Sequence, residues 1–193
     1  MVRPTWIDER KRTPIDLGPS PRILITRLSA IGDCILTWPV ATLIKKHWPK
    51  SHITWIVDCV AGSLLEKHPC VDEVIRLKKG FLLRPLELLS IRKNLRSRHF
   101  DLAIDPQGLA KSAALAWLSG APRRFGFHAC LTREGASWFY TAKRHGLSQH
   151  LVERQLELLE MCNFELPGID VSGHMTVDFG WRDDMIDSTA INQ

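Results

Sequence analysis

The chain has 193 residues, of which 45% are hydrophobic and 24% are charged. This composition can bury a real core, so the chain need not be disordered, and the length predicts one globular domain with extensions. The formal charge of +5 suits an anionic partner such as nucleic acid, phospholipid or a phosphorylated sugar, although a merely solvated basic surface explains it as well. The five cysteines are widely spaced without a C-x-x-C pair, which favours neither a disulfide framework nor a zinc site and fits a reducing cytosol.

Residues 1–20 contain several basic residues but no apolar core of signal-peptide length, so we expect a loose leader there. Residues 21–166 are predicted to form the globular domain. Residues 167–193 have weak periodicity and end without a helix cap, which indicates a linker or the start of a further domain. No stretch approaches about 20 uncharged apolar residues, so any membrane association is expected to be peripheral.

Segments rich in β-branched residues alternate with helical patterns, which predicts a Rossmann-like open parallel sheet with helices on both faces. The predicted strands are 22–28, 52–57, 71–77, 101–105 and 123–127. The predicted helices are 33–47, a short one near Gly62, 81–98, 109–119 and 150–161, whereas the pattern over 132–146 is less regular. In the helix over 81–98, we expect Leu86, Leu89 and Ile91 to face inward.

The loop Ser29-Ala30-Ile31-Gly32, followed by Asp33, joins the first predicted strand to the first helix. The small side chains of Ser29, Ala30 and Gly32 allow a ligand to approach backbone N–H groups, and a helix N-terminus favours negative charge. Asp33 fits an N-cap or first-turn acid. It also fits a general base, because open α/β sheets bind ligands at the carboxyl ends of their strands. The residues alone leave both interpretations open.

A second strand-to-helix junction has the sequence Asp105-Pro-Gln-Gly-Leu-Ala-Lys111-Ser112. We expect Gln107 and Lys111 to point into the same crevice, Gln107 as a hydrogen-bonding group and Lys111 as a charge for phosphate or carboxylate. The alternative is a capped helix with a solvated lysine.

The stretch over 76–98 is strongly basic. Its basic residues are Arg76, Lys78, Lys79, Arg84, Arg92, Lys93, Arg96 and Arg98, against the single acid Glu87. Together with the leucines of this stretch, they indicate either a surface for an anionic membrane or an ordinary helix with one face in the core. Arg123 and Arg124, which follow Pro122, form another candidate anion site.

Several catalytic and nucleotide-binding motifs are absent from the sequence. It contains no G-x-G-x-x-G after the first strand, no G-x-x-x-x-G-K-[ST], no H-E-x-x-H and no D-x-D pair. These absences weaken the NAD, P-loop and metalloprotease interpretations. Only Asp58 supports a dinucleotide-dependent oxidoreductase as a hypothesis. It follows the second strand, where such enzymes place the acidic residue that binds the ribose.

Three runs closely resemble the amino-terminal half of the ADP-heptose:lipopolysaccharide heptosyltransferases, in glycosyltransferase family nine. The runs are RILITRLSAIGDCILTWPVATLIKKHWP, DLAIDPQGLAKSAALAWLSGAPRRFGF and HLVERQLELLE, and they cover most of residues 22–161 in the family's order. The resemblance implies a GT-B architecture, of which this chain supplies the amino-terminal, acceptor-binding domain. It also implies no metal and no cofactor, with the sugar-nucleotide donor expected on a carboxyl-terminal domain that is missing here.

Carried over by this resemblance, the acid of the family's S-x-x-G-D loop falls on Asp33, which becomes the expected catalytic base. The family's D-x-Q-G-L-x-K-S segment falls on residues 105–112. Cys34 replaces a more usual aliphatic residue, a mild change because a buried thiol behaves as a small hydrophobe.

The implied activity is transfer of a heptose from ADP-heptose to the inner core of lipopolysaccharide by an inverting single displacement, for which one carboxylate suffices. The chain alone is expected to be inactive without its donor domain. The expected acceptor is an anionic glycolipid of the Kdo–lipid A type, and no nucleic acid is expected to bind. Its candidate contacts are Ser29, Ala30, Gly32, Gln107, Lys111, Arg84, Arg92, Arg123 and Arg124. The implied location is the cytoplasm, peripherally on the inner face of the cytoplasmic membrane.

A second hypothesis is a non-catalytic module that docks an anionic glycolipid or a partner protein through its basic face. Acceptor affinity that survives loss of Asp33 but collapses on charge reversal at Arg92 or Arg96 favours this module.

Overall fold

The computed structural model describes residues 15–78, 80–162, 164, 166 and 178–180. Most of the predicted leader, 1–14, lies outside these residues. Apart from 178–180, the predicted linker over 167–193 also lies outside them. The predicted domain boundaries therefore stay predictions.

Six parallel strands form one open sheet in the order β3-β2-β1-β4-β5-β6. They are β1 (Arg22–Thr26), β2 (His52–Asp58), β3 (Glu73–Leu77), β4 (Leu102–Ile104), β5 (Arg123–Phe127) and β6 (Ala142–Arg144). The chain fills one side of β1 with β2 and β3 and then crosses to the other side with β4. The carboxyl ends of β1 and β4 therefore border the crevice in which sheets of this kind bind ligands.

The helices are α1 (Ile31–Ile35), α2 (Trp38–His47), α3 (Cys59–Leu65), α4 (Pro85–Arg96), α5 (Ala110–Leu118) and α6 (Leu151–Leu156). Short 3₁₀ turns occupy Phe81–Leu83, Ala129–Leu131, Ala136–Phe139 and Leu159–Cys162. The single helix predicted over 33–47 is wrong, since two helices, α1 and α2, are found there. Pro39 has no N–H to donate to the carbonyl of Ile35, so the helical ladder breaks between them.

Helices cover both faces of the sheet, as predicted. Ile23 and Ile25 of β1 enter a core that includes residues of α2 and α6, while Leu24 enters a second core with residues of α4 and α5. This alternation follows from the period of two in a strand. The predicted Rossmann-like architecture is therefore confirmed.

Two features of the sequence misled the prediction. The edge strand β6 was missed because its three residues, Ala-Lys-Arg, are partly or fully exposed and have no apolar alternation. In α4, Leu86 is 81% exposed and Leu89 59% exposed, so their predicted inward orientation is wrong, whereas Ile91 packs on the core. Leu88, Ile91 and Leu95 form the inward stripe, and the helix has a second apolar stripe that periodicity alone does not distinguish from the first.

Within the part of the chain that the structure describes, no helix combines the length and apolar character that crossing a bilayer requires.

Candidate functional site

A cleft of about 430 Å³ opens at the carboxyl edge of the sheet, where the strand order reverses. Its walls come from the loops after β1, β4 and β5 and from the start of α6. The lining residues are Arg27, Ser29, Ala30, Asp33, Pro106, Gln107, Gly108, Leu109, Phe127, Leu131, Arg133, Leu151 and Arg154. The structure thus brings Ser29, Ala30, Asp33 and Gln107 together, as the sequence predicted, and adds three arginines.

Asp33 lies in α1 and faces the cleft with 43% of its side chain exposed. Asp33 is an acid in the first turn of α1, which is one of the predicted interpretations, and not the N-cap, because Ala30 holds that position. Its Oδ2 lies 2.6 Å from Nη2 of Arg27. No hydrogen bond or ion pair among the described residues uses its Oδ1. One carboxylate oxygen is therefore oriented by an arginine while the other stays open to a ligand.

Arg27 is the residue that positions Asp33, and the sequence analysis missed it. Its side chain is 7% exposed, and its Nη1 donates to the carbonyl of Pro106 at 3.1 Å. Its own carbonyl accepts a hydrogen bond from the indole of Trp55 at 3.1 Å. A basic residue directly after the apolar strand is the signal in the sequence, since a buried guanidinium requires partners of this kind.

Cys34 follows Asp33 and is fully buried, which confirms the expectation that it packs as a small hydrophobe. Burial raises the pKa of its thiol to about 11. The thiol is therefore neutral at physiological pH and takes no part as a nucleophile.

Asp105 is fully buried beneath the cleft and organises the loop after β4. Its Oδ1 accepts hydrogen bonds from the backbone of Gln107 and Gly108 at 2.9 and 3.1 Å. Its Oδ2 accepts the hydroxyls of Ser112 at 2.8 Å and Tyr140 at 2.6 Å. Burial raises the pKa of Asp105 to about 6, against the opposite effect of these four donors. The arrangement indicates a structural role for Asp105.

Gln107 and Lys111 behave differently from each other. The Oε1 atom of Gln107 accepts the backbone N–H of Leu28 at 2.9 Å, which ties the loop after β4 to the loop after β1. Gln107 therefore lines the cleft and also holds its two walls together. Lys111 lies in the first turn of α5, partly exposed, and is not among the residues that line the cleft. Gly32 is exposed in α1 and is also not a lining residue.

Two further arginines, Arg133 and Arg154, are not among the candidate contacts that the sequence predicts. Both line the cleft, and among the described residues neither forms an ion pair with a carboxylate. Arg133 reaches the cleft because its backbone N–H donates to the carbonyl of Gly108 at 3.0 Å. Arg154 lies on α6 within the run HLVERQLELLE. Together they give the cleft an excess of positive charge that favours an anionic ligand.

The other predicted arginines lie away from the cleft. Arg123 and Arg124 begin β5 and therefore lie at the amino edge of the sheet, opposite Asp33. Arg124 donates to the carbonyls of Phe139 at 2.8 Å and Ala121 at 2.7 Å, which is a structural use of its guanidinium. Arg84 and Arg92 are exposed at the start and middle of α4. The structure does not bring these four residues together with Asp33.

Residues 88–188 match the model of glycosyltransferase family 9 (heptosyltransferase), which is just over half of the chain. The chain belongs to glycosyltransferase family 9. Lipopolysaccharide heptosyltransferase 1 of Escherichia coli K12 is 34% identical to it over 146 residues, covering 71% of this chain and 46% of that protein. The enzyme of the same name from Pseudomonas aeruginosa is 33% identical over 156 residues, covering 76% and 44%.

Solved structures of family members agree with this assignment. E. coli heptosyltransferase WaaC with ADP superimposes with a TM-score of 0.70 at 29% identity, covering 82% of this chain and 51% of that chain. WaaC with ADP-2-deoxy-2-fluoro heptose gives a TM-score of 0.66 at 31% identity, covering 75% and 49%. The chain spans about half the length of the curated relatives it matches.

Proposed function

We propose that this chain is the acceptor-binding half of a heptosyltransferase that moves a heptose from ADP-heptose to the inner core of lipopolysaccharide. The observation that supports this proposal most strongly is the cleft itself. It combines one accessible carboxylate, Asp33, with two arginines that have no carboxylate partner among the described residues, Arg133 and Arg154. Inverting sugar transfer to an anionic acceptor requires these two kinds of group.

In the proposed mechanism, Asp33 removes the proton from the acceptor hydroxyl as its oxygen attacks the anomeric carbon of the heptose. The new glycosidic C–O bond forms while the bond between that carbon and the diphosphate breaks, and ADP leaves with the electron pair. The proton ends on the carboxylate of Asp33. Arg27 holds the carboxylate in place throughout, because it is buried and also bound to the carbonyl of Pro106.

Arg133 and Arg154 are proposed to bind the carboxylates or phosphates of the acceptor. Guanidinium groups suit these planar or tetrahedral anions because they present several donors in a fixed geometry. The two arginines reach the cleft from different walls, the segment after β5 and helix α6. An acceptor bound between them therefore presents its hydroxyl to a fixed position near Asp33.

Charge reversal at the cleft tests this assignment. We expect Arg133→Glu and Arg154→Glu each to weaken binding of a Kdo-containing acceptor by about 10- to 100-fold, because each removes a charge-assisted hydrogen bond worth about 1.5–3 kcal/mol. The measurement is isothermal titration calorimetry with a soluble Kdo saccharide at fixed salt. The matched control is Arg123→Glu, which changes the net charge equally at the opposite edge of the sheet. An equal loss of acceptor affinity in all three variants, or unchanged affinity in the Arg133 and Arg154 variants, contradicts the assignment.

We further propose that α4 holds this half on the cytoplasmic, anionic face of the inner membrane. Leu82, Leu86 and Leu89 are exposed next to the basic residues Arg92 and Lys93. An apolar stripe flanked by cations inserts shallowly into an anionic lipid surface. This exposed stripe is also the observation that favours the second candidate function, a non-catalytic module that docks on anionic glycolipid.

Vesicle binding tests the membrane surface. We expect the double variant Leu86→Ser with Leu89→Ser to bind phosphatidylglycerol vesicles at least about tenfold more weakly, because it removes apolar area that enters the lipid. The matched control is Leu147→Ser with Trp138→Ser, which removes exposed apolar side chains elsewhere. Sedimentation with anionic and with zwitterionic vesicles measures both effects. Unchanged binding of the α4 variant, or equal loss in the control, contradicts this surface.

A further inference from the structure

Three potential metal ligands meet at the carboxyl edge of β5 and β6. Phe127 and Arg144 are paired in the register of these two strands, so the next residues, His128 and His145, come side by side. The backbone N–H of His128 donates to the carbonyl of Arg144 at 2.8 Å, which continues this pairing. The two imidazole rings are stacked with their centroids 4.2 Å apart and an angle of 23° between their planes.

Cys130 completes this group. It lies in the 3₁₀ turn Ala129–Leu131, which folds back on the end of β5 because the N–H of Leu131 donates to the carbonyl of His128 at 2.9 Å. Each of the three side chains offers one ligand atom, and these atoms all lie within 4.8 Å of one another. Two imidazoles and one thiolate form a set of ligands that binds zinc in preference to magnesium or calcium.

We propose that His128, Cys130 and His145 form a zinc-binding site with three protein ligands and a fourth position open to water. In a tetrahedral zinc site, ligand atoms lie roughly 3.3–3.6 Å apart, so these side chains need to approach one another by no more than about an ångström. Cys130 and His145 are exposed, which leaves room for rotation about their side-chain bonds. On binding, the thiol of Cys130 loses its proton to water and its sulfur bonds to the metal.

One further observation supports the site. The Nδ1 atom of His128 is buried and has no hydrogen-bond partner among the described residues. Buried polar atoms are rarely left unpaired in folded proteins, and an unpaired one calls for a ligand, a water or an ion. A cation held by the His128 ring meets this requirement either directly at Nδ1 or by ordering a water beside it.

A bound zinc ion links the turn after β5 to the end of β6. The same turn ends at Leu131 and continues to Arg133, and both of these residues line the cleft. The ion therefore restrains one wall of the cleft from a position outside it. This proposal is independent of the proposed function, since it concerns metal binding by residues that do not line the cleft.

Metal titration of the 193-residue chain, without a polyhistidine tag and after treatment with EDTA, tests the site. We expect one Zn²⁺ to bind per chain in competition with a chromogenic chelator. Cys130→Ser and His145→Ala are expected to weaken binding by at least about 100-fold, because loss of a direct ligand costs more than the 10–100-fold typical of an outer-shell partner. We also expect Co²⁺ to give a thiolate-to-cobalt charge-transfer band that Cys130→Ser lacks.

Matched controls separate this site from other thiols and imidazoles. Cys70→Ser and His52→Ala change residues on or beside the far strands of the sheet and are expected to keep the affinity of the unmodified chain. The thermal midpoint in EDTA shows that each variant folds, and zinc is expected to raise that midpoint only where the three ligands are intact. The proposal is overturned if the unmodified chain does not bind zinc stoichiometrically, or if Cys130→Ser and His145→Ala bind zinc as tightly as the unmodified chain.

Discussion

Replacement of Asp33 by Asn in the complete enzyme that contains this half is expected to lower kcat for heptose transfer by about 10²–10⁴-fold, the usual contribution of a general base. The KM for the acceptor is expected to stay nearly unchanged, because Arg133 and Arg154 are proposed to bind it. Initial rates of ADP release at varied acceptor concentration measure both constants. The amide is nearly isosteric with the carboxylate but cannot accept the hydroxyl proton.

The fold is expected to survive this change. Arg27 loses its ionic partner but keeps its hydrogen bond to the carbonyl of Pro106, so we expect the free energy of unfolding to fall by only about 1–2 kcal/mol. The matched control is Glu66→Gln, which neutralises the carboxylate of another arginine ion pair, at 2.7 Å from Arg76, and neither residue lines the cleft. A kcat near that of the wild type in Asp33→Asn, or a loss of kcat in Glu66→Gln as large as that in Asp33→Asn, contradicts the role of Asp33 as base.

The second large effect is expected at Asp105. Asp105→Ala leaves two backbone N–H groups and the hydroxyls of Ser112 and Tyr140 without their shared acceptor in a fully buried place. We expect a loss of at least about 3 kcal/mol in the free energy of unfolding, measured by urea denaturation. Tyr140→Phe removes only one of the four donors and is expected to cost about 1.5–3 kcal/mol. An Asp105→Ala variant as stable as the wild-type chain contradicts this network.

The same carboxyl group has a measurable pH dependence. Burial raises the pKa of Asp105 from its ordinary value of 3.8 to about 6 in the folded chain. At pH values between these two pKa values, Asp105 keeps a proton in the folded protein that it has lost in the unfolded chain. The contribution of Asp105 to stability is therefore complete below pH 3.8 and is lost as the pH rises through about 6. Two pKa units correspond to about 3 kcal/mol.

Comparison with Asp105→Asn isolates this contribution. The stability of the wild-type chain relative to the Asn variant is expected to fall by about 3 kcal/mol between pH 3 and pH 7. Groups with lowered pKa values, such as Glu73 and His68, change stability in the opposite direction but are common to both proteins and cancel in the difference. A difference that does not change with pH contradicts the raised pKa of Asp105.

Much of the fold was predictable because it depends on patterns that are local in the sequence. Strands β1, β2 and β4 consist mainly of apolar or β-branched residues, and such runs indicate parallel strands with both faces buried. Strand β6 was not predictable in this way, because an exposed edge strand of three residues carries no such pattern. The orientation of α4 also failed, because two apolar stripes compete on one helix and only packing against the sheet selects one of them.

The sequence by itself determined the parallel sheet and the junction after β1, since turns and strand ends are encoded within a few residues. It named Asp33 as the candidate base through the family resemblance. Only the tertiary structure decided which distant groups meet. Arg27 binds Pro106 across a separation of 79 residues, Tyr140 binds Asp105 across 35, and Arg133 and Arg154 join the cleft from separate elements. His128, Cys130 and His145 come together for the same reason. Their contact depends on the pairing of β5 with β6, which no spacing along the chain specifies.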